Sequence, residues 1–141
     1  MSTDAGTLYR RFLLDLWHAG DDDLPGLAAE LVGPEFTIHR RGTSGPTTGP
    51  DAAVELITGG RAYFDDVEVT LDLGPIVDGQ YVAGRWTFAG SYLGGIPGAS
   101  AAVGTRVAFS GHDIVHVADE RITDYWGSSD ADHLMEQLTA G

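Results

Sequence analysis

The sequence predicts an α+β fold: a cone-shaped, curved antiparallel sheet with N-terminal helices that enclose a hydrophobic pocket. Three observations predict it. As far as Tyr63 most of the apolar residues recur at helical spacing. From Asp65 onward the period changes to two, as in half-buried strands. The strands then follow one another across short turns, apart from one glycine-rich loop, which is the order of an antiparallel meander. With 141 residues the chain is expected to form one domain, 1–141, with a modest core.

Residues Thr7 to Ala19 read as the first helix, with Leu8, Phe12, Leu16 and Trp17 on one side. Thr3 or Asp4 can cap its start, and Gly20 follows its end. Asp21, Asp22 and Asp23 precede a second short helix, Leu24 to Leu31, with Pro25 near its first position and Gly33-Pro34 breaking it. Phe36 to Arg40 reads as a short strand and Arg41 to Pro50 as a loop. Asp51 to Tyr63 is a third helix, with Ala53, Leu56, Ile57 and Tyr63 inward. Val67, Val69, Leu71 and Leu73 then alternate with polar residues along a strand that ends in a turn at Pro75 to Gly79. Tyr81 to Tyr92 is a long strand with Val82, Trp86 and Phe88 on one face. Gly94 to Gly104, lacking bulky side chains, is a mobile loop that either lids the pocket or is a plain hairpin tip. Thr105 to Ala118 and Arg121 to Gly127 are strands joined at Asp119-Glu120, and Asp130 to Leu138 is a closing helix.

Composition removes several chemistries. The formal charge of −13 disfavours nucleic acid and anionic membranes as partners. No stretch approaches the roughly 20 apolar residues of a membrane span, and the N-terminus lacks the pattern of a secretory signal. The expected location is the cytoplasm. There is no cysteine, and all eight basic residues are arginines. A thiolate nucleophile, a Cys-ligated metal and a lysine Schiff base are therefore excluded. The five histidines show no metal-ligand spacing, so no metal is expected.

The chemistry concentrates in the last hairpin. Val115, Val117, Ile122 and Trp126 form an apolar set that also contains Asp113 and Asp124. A two-residue turn at Asp119-Glu120 pairs Asp113 with Trp126 and Val115 with Asp124. The two carboxylates then become diagonal neighbours, roughly 7 Å apart. Two acids that close in an apolar pocket push their proton affinities apart and can divide acid and base roles. The plainer alternative is an arginine partner for either one, or a one-residue slip that turns Asp124 outward. His39 on the first strand is a candidate base, or an exposed strand histidine beside Arg40 and Arg41. Trp17, Tyr63, Phe64, Trp86, Phe88, Phe109 and Trp126 are candidates for the pocket wall, with Trp86 and Trp126 foremost.

The chain resembles the SnoaL-like polyketide cyclases of the nuclear-transport-factor-2-like superfamily. The likeness rests on LYRRFLLDLWHAGDDD, TGPDAAVELI, VAGRWTFAGSYLGGIPG, RVAFSGHDIVHVADERITDYW and DADHLMEQL, in that order. It implies a cofactor-independent enzyme that closes a ring on a hydrophobic, polyketide-type small molecule in natural-product biosynthesis, and a homodimer packed through the sheet. Asp113, Asp124 and His39 would be its catalytic candidates, His39 matching a histidine frequent in the family. The aldol cyclases of the family carry an acid/base aspartate where this chain has Gly127, and a nearby histidine of theirs falls on Asp113. The same fold also hosts polyketide hydroxylases, isomerases, epoxide hydrolases and non-catalytic binding domains. No Asp-x-Arg is read on one strand with a second Asp on the next, the arrangement of the epoxide hydrolases of this fold.

Overall fold

The computed structural model describes residues 4–39 and 47–139. Helix α1 (Ala5–His18) starts at Asp4, whose carboxylate accepts the Thr7 backbone N–H at 2.8 Å. It closes one residue before Gly20, where the Ala19 N–H bonds back to the Leu16 carbonyl at 3.2 Å. Its buried face holds Leu8, Tyr9, Phe12, Leu13 and Leu16, a wider stripe than Leu8, Phe12 and Leu16 alone. Helix α2 (Leu24–Leu31) runs directly into strand β1 (Val32–His39). Gly33 and Pro34, expected to separate the two, lie inside β1. An edge strand tolerates a residue without an N–H, and β1 is at an edge. Arg40 and most of the loop Arg41 to Pro50 lie outside the described residues.

Helix α3 (Pro50–Arg61) buries Ala52, Ala53 and Ile57. Tyr63 falls past its end and is 39% exposed, not inward. The remaining elements are β2 (Phe64–Asp78), β3 (Tyr81–Tyr92), β4 (Arg106–Ala118), β5 (Arg121–Ser129) and α4 (Ala131–Thr139). The expected turn at Pro75 to Gly79 is mostly strand. Pro75 sits where the β2–β3 register shifts on the other edge strand, and the chain turns only at Gly79 and Gln80. The sheet order is β1-β5-β4-β3-β2. Strands β2 to β5 form the antiparallel meander, but β1 pairs parallel to β5, so the sheet is mixed. Helix α1 contacts β2, β3 and β5, which requires the sheet to curve around it.

The segment between β3 and β4 docks on α4. The Ser100 and Ala101 N–H groups bond to the Leu138 carbonyl at 2.9 and 2.8 Å, and Ile96, Ala99 and Ala101 pack on the core. Gln137 fixes α4 to β4 by bonding both the N–H and the C=O of Ala108. The Gly94 to Gly104 loop is thus held beside the last helix rather than across a pocket mouth.

The last hairpin departs from its expected register in one place. Asp119 and Glu120 turn the chain with positive φ at both residues, the two-residue turn the sequence predicts. Ala118 pairs with Arg121 and Val117 with Ile122, but His116 then pairs with Asp124. Thr123 is an extra residue, a β-bulge. Beyond it Ile114 faces Trp126 and Asp113 faces Gly127. Because side chains alternate across a sheet, that single insertion moves Tyr125 and Gly127 to the concave face and Asp124 and Trp126 to the convex one.

Candidate functional site

A cavity of about 110 Å³ lies between the concave sheet face and helices α1 and α3. Leu13 and Trp17 border it from α1, Leu56 and Gly60 from α3, and Val69, Trp86, Phe88, Phe109, Asp113, Tyr125, Gly127, Ser128 and Ser129 from the sheet. The apolar side comes from aromatics that interlock: Trp17 on Phe88 at 5.9 Å, Trp86 on Phe109 at 5.9 Å, Phe88 on Phe109 at 5.1 Å. Trp86 also contributes a buried indole N–H with no acceptor among the described residues. Leaving such a donor unmet costs about 1–3 kcal/mol.

The polar end is built around Asp113, the one charged residue in the buried core of the described residues, 2% exposed. The Tyr125 hydroxyl donates to its Oδ1 at 2.8 Å, and the Tyr9 hydroxyl donates to its Oδ2 at 3.1 Å. Both donors are themselves buried. Burial, with Asp113's negative charge and the hydrogen bond to it, pushes the Tyr9 phenol far above its ordinary proton affinity. Tyr9 therefore remains a neutral donor throughout the physiological range.

Glycines make room for these groups. A Cβ at Gly84 would stand 2.7 Å from the Tyr9 hydroxyl, and one at Gly127 would stand 2.3 Å from that of Tyr125. A Cβ at Gly111 would meet the Trp86 ring at 2.4 Å, and one at Gly60 the Trp17 ring at 2.4 Å. Gly84 and Gly127 are the two cross-strand partners of Asp113. The carboxylate thus stands between two side-chain-free positions, each filled by a tyrosine from elsewhere.

The sequence-predicted candidates divide between the two faces. Trp17, Trp86, Phe88, Phe109 and Asp113 border the cavity. Phe64 is buried in the core against Phe88 and Tyr92 and does not line the cavity, nor does Tyr63. Asp124, His39 and Trp126 lie on the convex face, so the expected pair of neighbouring carboxylates is not formed. The physical reason is the Thr123 bulge. There His39 Nε2 meets Asp124 Oδ2 at 2.9 Å, the Thr123 hydroxyl donates to Asp124 Oδ1 at 2.7 Å, and Trp126 stacks on His39 at 4.8 Å. Partial burial would raise the Asp124 carboxyl, but hydrogen bonds from His39 and Thr123 and the charge of His39 and His116 outweigh it and hold it below its ordinary value.

Sequence reasoning missed Tyr9 and Tyr125, the two groups that hold Asp113. Tyr9 carried a signal, since it stands three residues before Phe12 and four before Leu13 on the apolar side of α1. Tyr125 carried none, because its face depends on the bulge. Among the described residues no cluster of three or more His, Asp or Glu is arranged to hold a metal, and no helix is long and apolar enough to cross a membrane.

A sheet curved around a long helix, with one carboxylate at the end of an aromatic cavity, defines a nuclear-transport-factor-2-like cone. The sequence profile of the SnoaL-like polyketide cyclases matches residues 7–138, and the chain belongs to that family. Among solved structures it is similar to TsrD from Streptomyces laurentii, with 25% identity, TM-score 0.74 and coverage of 95% of this chain and 93% of that one. A candidate polyketide cyclase from Acidithiobacillus ferrooxidans superposes with TM-score 0.79 at 21% identity, covering 98% and 96% of the two chains. AclR, a candidate hydroxylase from Streptomyces galilaeus, superposes with TM-score 0.72 at 20% identity, covering 93% and 92%. A search of curated protein sequences finds no significant match.

Proposed function

We propose that the protein is an enzyme that closes a ring on a polyketide-type small molecule, with Asp113 as acid/base and Tyr125 as the hydroxyl donor beside it. The observation that carries this reading is a buried carboxylate on the wall of an otherwise largely apolar cavity, held in place by two tyrosine hydroxyls. In the reaction Asp113 takes a proton from the carbon next to a substrate carbonyl. The enolate oxygen accepts a hydrogen bond from the Trp86 indole N–H, the enolate carbon adds to a second carbonyl, and Asp113 returns the proton to the new alkoxide. The substrate keeps all its atoms, and each step is a proton transfer or a bond between substrate carbons, so the reading requires no cofactor. The aromatic walls favour a folded chain whose ends are close, which alone is a source of rate. The unmet Trp86 N–H supports a substrate that brings a hydrogen-bond acceptor.

Size narrows the substrate. A cavity of about 150 Å³ takes one benzene ring, and this one measures about 110 Å³. It is smaller than a benzene site, so it takes the reacting end of the substrate, and the rest lies outside it. Relative to the family's aldol cyclases, this reading places the carboxylate on β4 at Asp113 and leaves its partner position on β5, Gly127, empty for Tyr125.

The test is α-proton exchange in acetophenone dissolved in D2O, followed by NMR. The wild-type protein is expected to accelerate exchange and Asp113→Asn to lose about 100-fold or more of that acceleration, the scale of a general base, with ligand shifts retained. Unchanged exchange in Asp113→Asn sinks the acid/base role. On the convex face, exposed Tyr81, Ile114 and Trp126 support the homodimer that the resemblance implies. Sedimentation at micromolar concentration checks it.

A further inference from the structure

We propose that Trp17 is the specificity-determining residue of the cavity: its ring closes the end away from Asp113 and sets how far a substrate extends along α1. The inference rests on the reading of the cavity as a small-molecule site and adds a limit on substrate shape to it. Asp113 and Trp17 mark opposite ends. On β3 the cross-strand partner of Asp113 is Gly84, and the Trp17 ring packs on Phe88, four residues further along that strand and about 13 Å away. On α1 the donor to Asp113 is Tyr9, eight residues before Trp17 and about 12 Å from it.

A second space begins where the cavity stops. An open groove of about 380 Å³ is bordered by Trp17, His18 and Asp21 at and after the end of α1, by Arg61 at the end of α3, and by Phe64 and Val67 of β2. It lies on the same side of the sheet as the cavity. His18 and Arg61 come from the helices that cover the concave face, and Phe64 and Val67 belong to the core between those helices and the sheet. Trp17 borders both spaces. Beside it the Phe64 ring of the groove packs on the Phe88 ring of the cavity at 5.3 Å.

This wall is fixed from both flanks. Arg61 Nη1 donates to the Trp17 carbonyl at 3.2 Å and to the Ala19 carbonyl at 2.7 Å, which ties the end of α1 to α3. His18 Nε2 accepts the Val69 N–H at 3.1 Å, and its Nδ1 meets the Leu14 carbonyl at 2.6 Å, which ties the same turn to β2. The Trp17 ring lies over Gly60, where a Cβ would stand 2.4 Å from it. With its backbone held and its ring seated between Gly60 and Phe88, Trp17 is a partition. A chain that bends turns out of the cavity before reaching it, whereas a straight, rigid one runs into the indole. The substrate class is then a bent molecule, in keeping with ring closure, which needs the two reacting ends close together.

The experiment compares acetophenone with 4-acetylbiphenyl, the same ketone extended in a straight line, titrated by NMR into the wild-type protein, Trp17→Ala, Trp17→Phe and Phe109→Ala. A second ring ordinarily tightens binding through the area it buries. In the wild type the longer ketone is expected to bind about 10-fold more weakly than acetophenone, the low end of what overpacking costs. Trp17→Ala joins the cavity to the groove and reverses that preference, and Trp17→Phe, with a smaller ring, gives an intermediate ratio. Phe109→Ala removes an aromatic wall that does not border the groove, and the wild-type preference persists. Equal or tighter binding of the longer ketone to the wild type, a preference unchanged in Trp17→Ala, or a reversal as large in Phe109→Ala overturns the role of Trp17 and leaves the cavity reading intact. Failure of the wild type to bind acetophenone overturns both.

Discussion

Asp113 and Asp124 stand on the two strands of one hairpin and meet opposite surroundings. Asp113 faces the concave side, is buried, and is held by two phenols that cannot leave without opening the core. Asp124 faces the convex side, keeps a third of its side chain exposed, and is met by histidines and a threonine hydroxyl. Inside, each hydrogen bond replaces lost water and its removal strands a charge; outside, water stands ready to replace any partner. The difference follows from position relative to one inserted residue, since the strands are otherwise in the register that the turn dictates.

Inserting one alanine between Thr123 and Asp124 should break the comparison outright. With Thr123 still bulged, the rest of β5 slips by one residue against β4, so that Asp124 turns inward opposite Val115 and Tyr125 outward. A second buried carboxylate and the loss of Asp113's donor are expected to cost more than about 4 kcal/mol, the range reserved for disrupted buried networks. Urea unfolding measures it. Near-wild-type stability in the insertion variant would mean that the register after the bulge does not set the faces.

Gly127→Ala should sharpen it with a smaller effect. The new Cβ would lie 2.3–2.6 Å from the Tyr125 ring and hydroxyl, which must swing away from Asp113. Overpacking and a lost hydrogen bond to a buried carboxylate together amount to about 3 kcal/mol. The same change opposite Asp124, Ala in place of His116, should cost less than about 1 kcal/mol. Comparable losses at both sites, read by urea unfolding, would show that the two aspartates are not held differently.

How far the site can be read from the sequence follows from the same geometry. The helices, the strands and the Asp119-Glu120 turn are set by local patterns, so α2, β3 and that turn stand where the pattern puts them. Asp113 was legible because it lies between the turn and no irregularity on its own strand. Tyr125 and Trp126 were not, because a bulge leaves no signature in the alternation: Asp124 with Trp126, and Tyr125 with Gly127, are equally good strand sets. Gly127 reads from the sequence as a missing side chain. In the fold it is the space that Tyr125 occupies, a fact that depends on contacts between residues and not on either one alone. The parallel pairing of β1 was hidden for a similar reason, since partners distant in sequence share no local signal.

The smallest expected effect tests the outer aspartate by pH. Asp124 has a folded-state proton affinity below its ordinary value, chiefly because the His39 and Thr123 hydrogen bonds outweigh its partial burial. A depressed carboxyl contributes stability that is complete above the unfolded pKa, 3.8, and is lost as pH falls through the lower folded value. Asp124→Asn should therefore be less stable than wild type by under about 1 kcal/mol at pH 7 and at pH 5, as expected for a pair this open to solvent. The gap should shrink as the pH is taken below 3.8, and it should also shrink at pH 7 when salt is raised to about 1 M, where charges are screened over roughly 3 Å. Urea unfolding at pH 7, 5 and 3 reads all of this. A gap that widens on acidification would assign Asp124 a raised proton affinity, the mark of a carboxylate facing an apolar interior, and would place it on the same side of the sheet as Asp113.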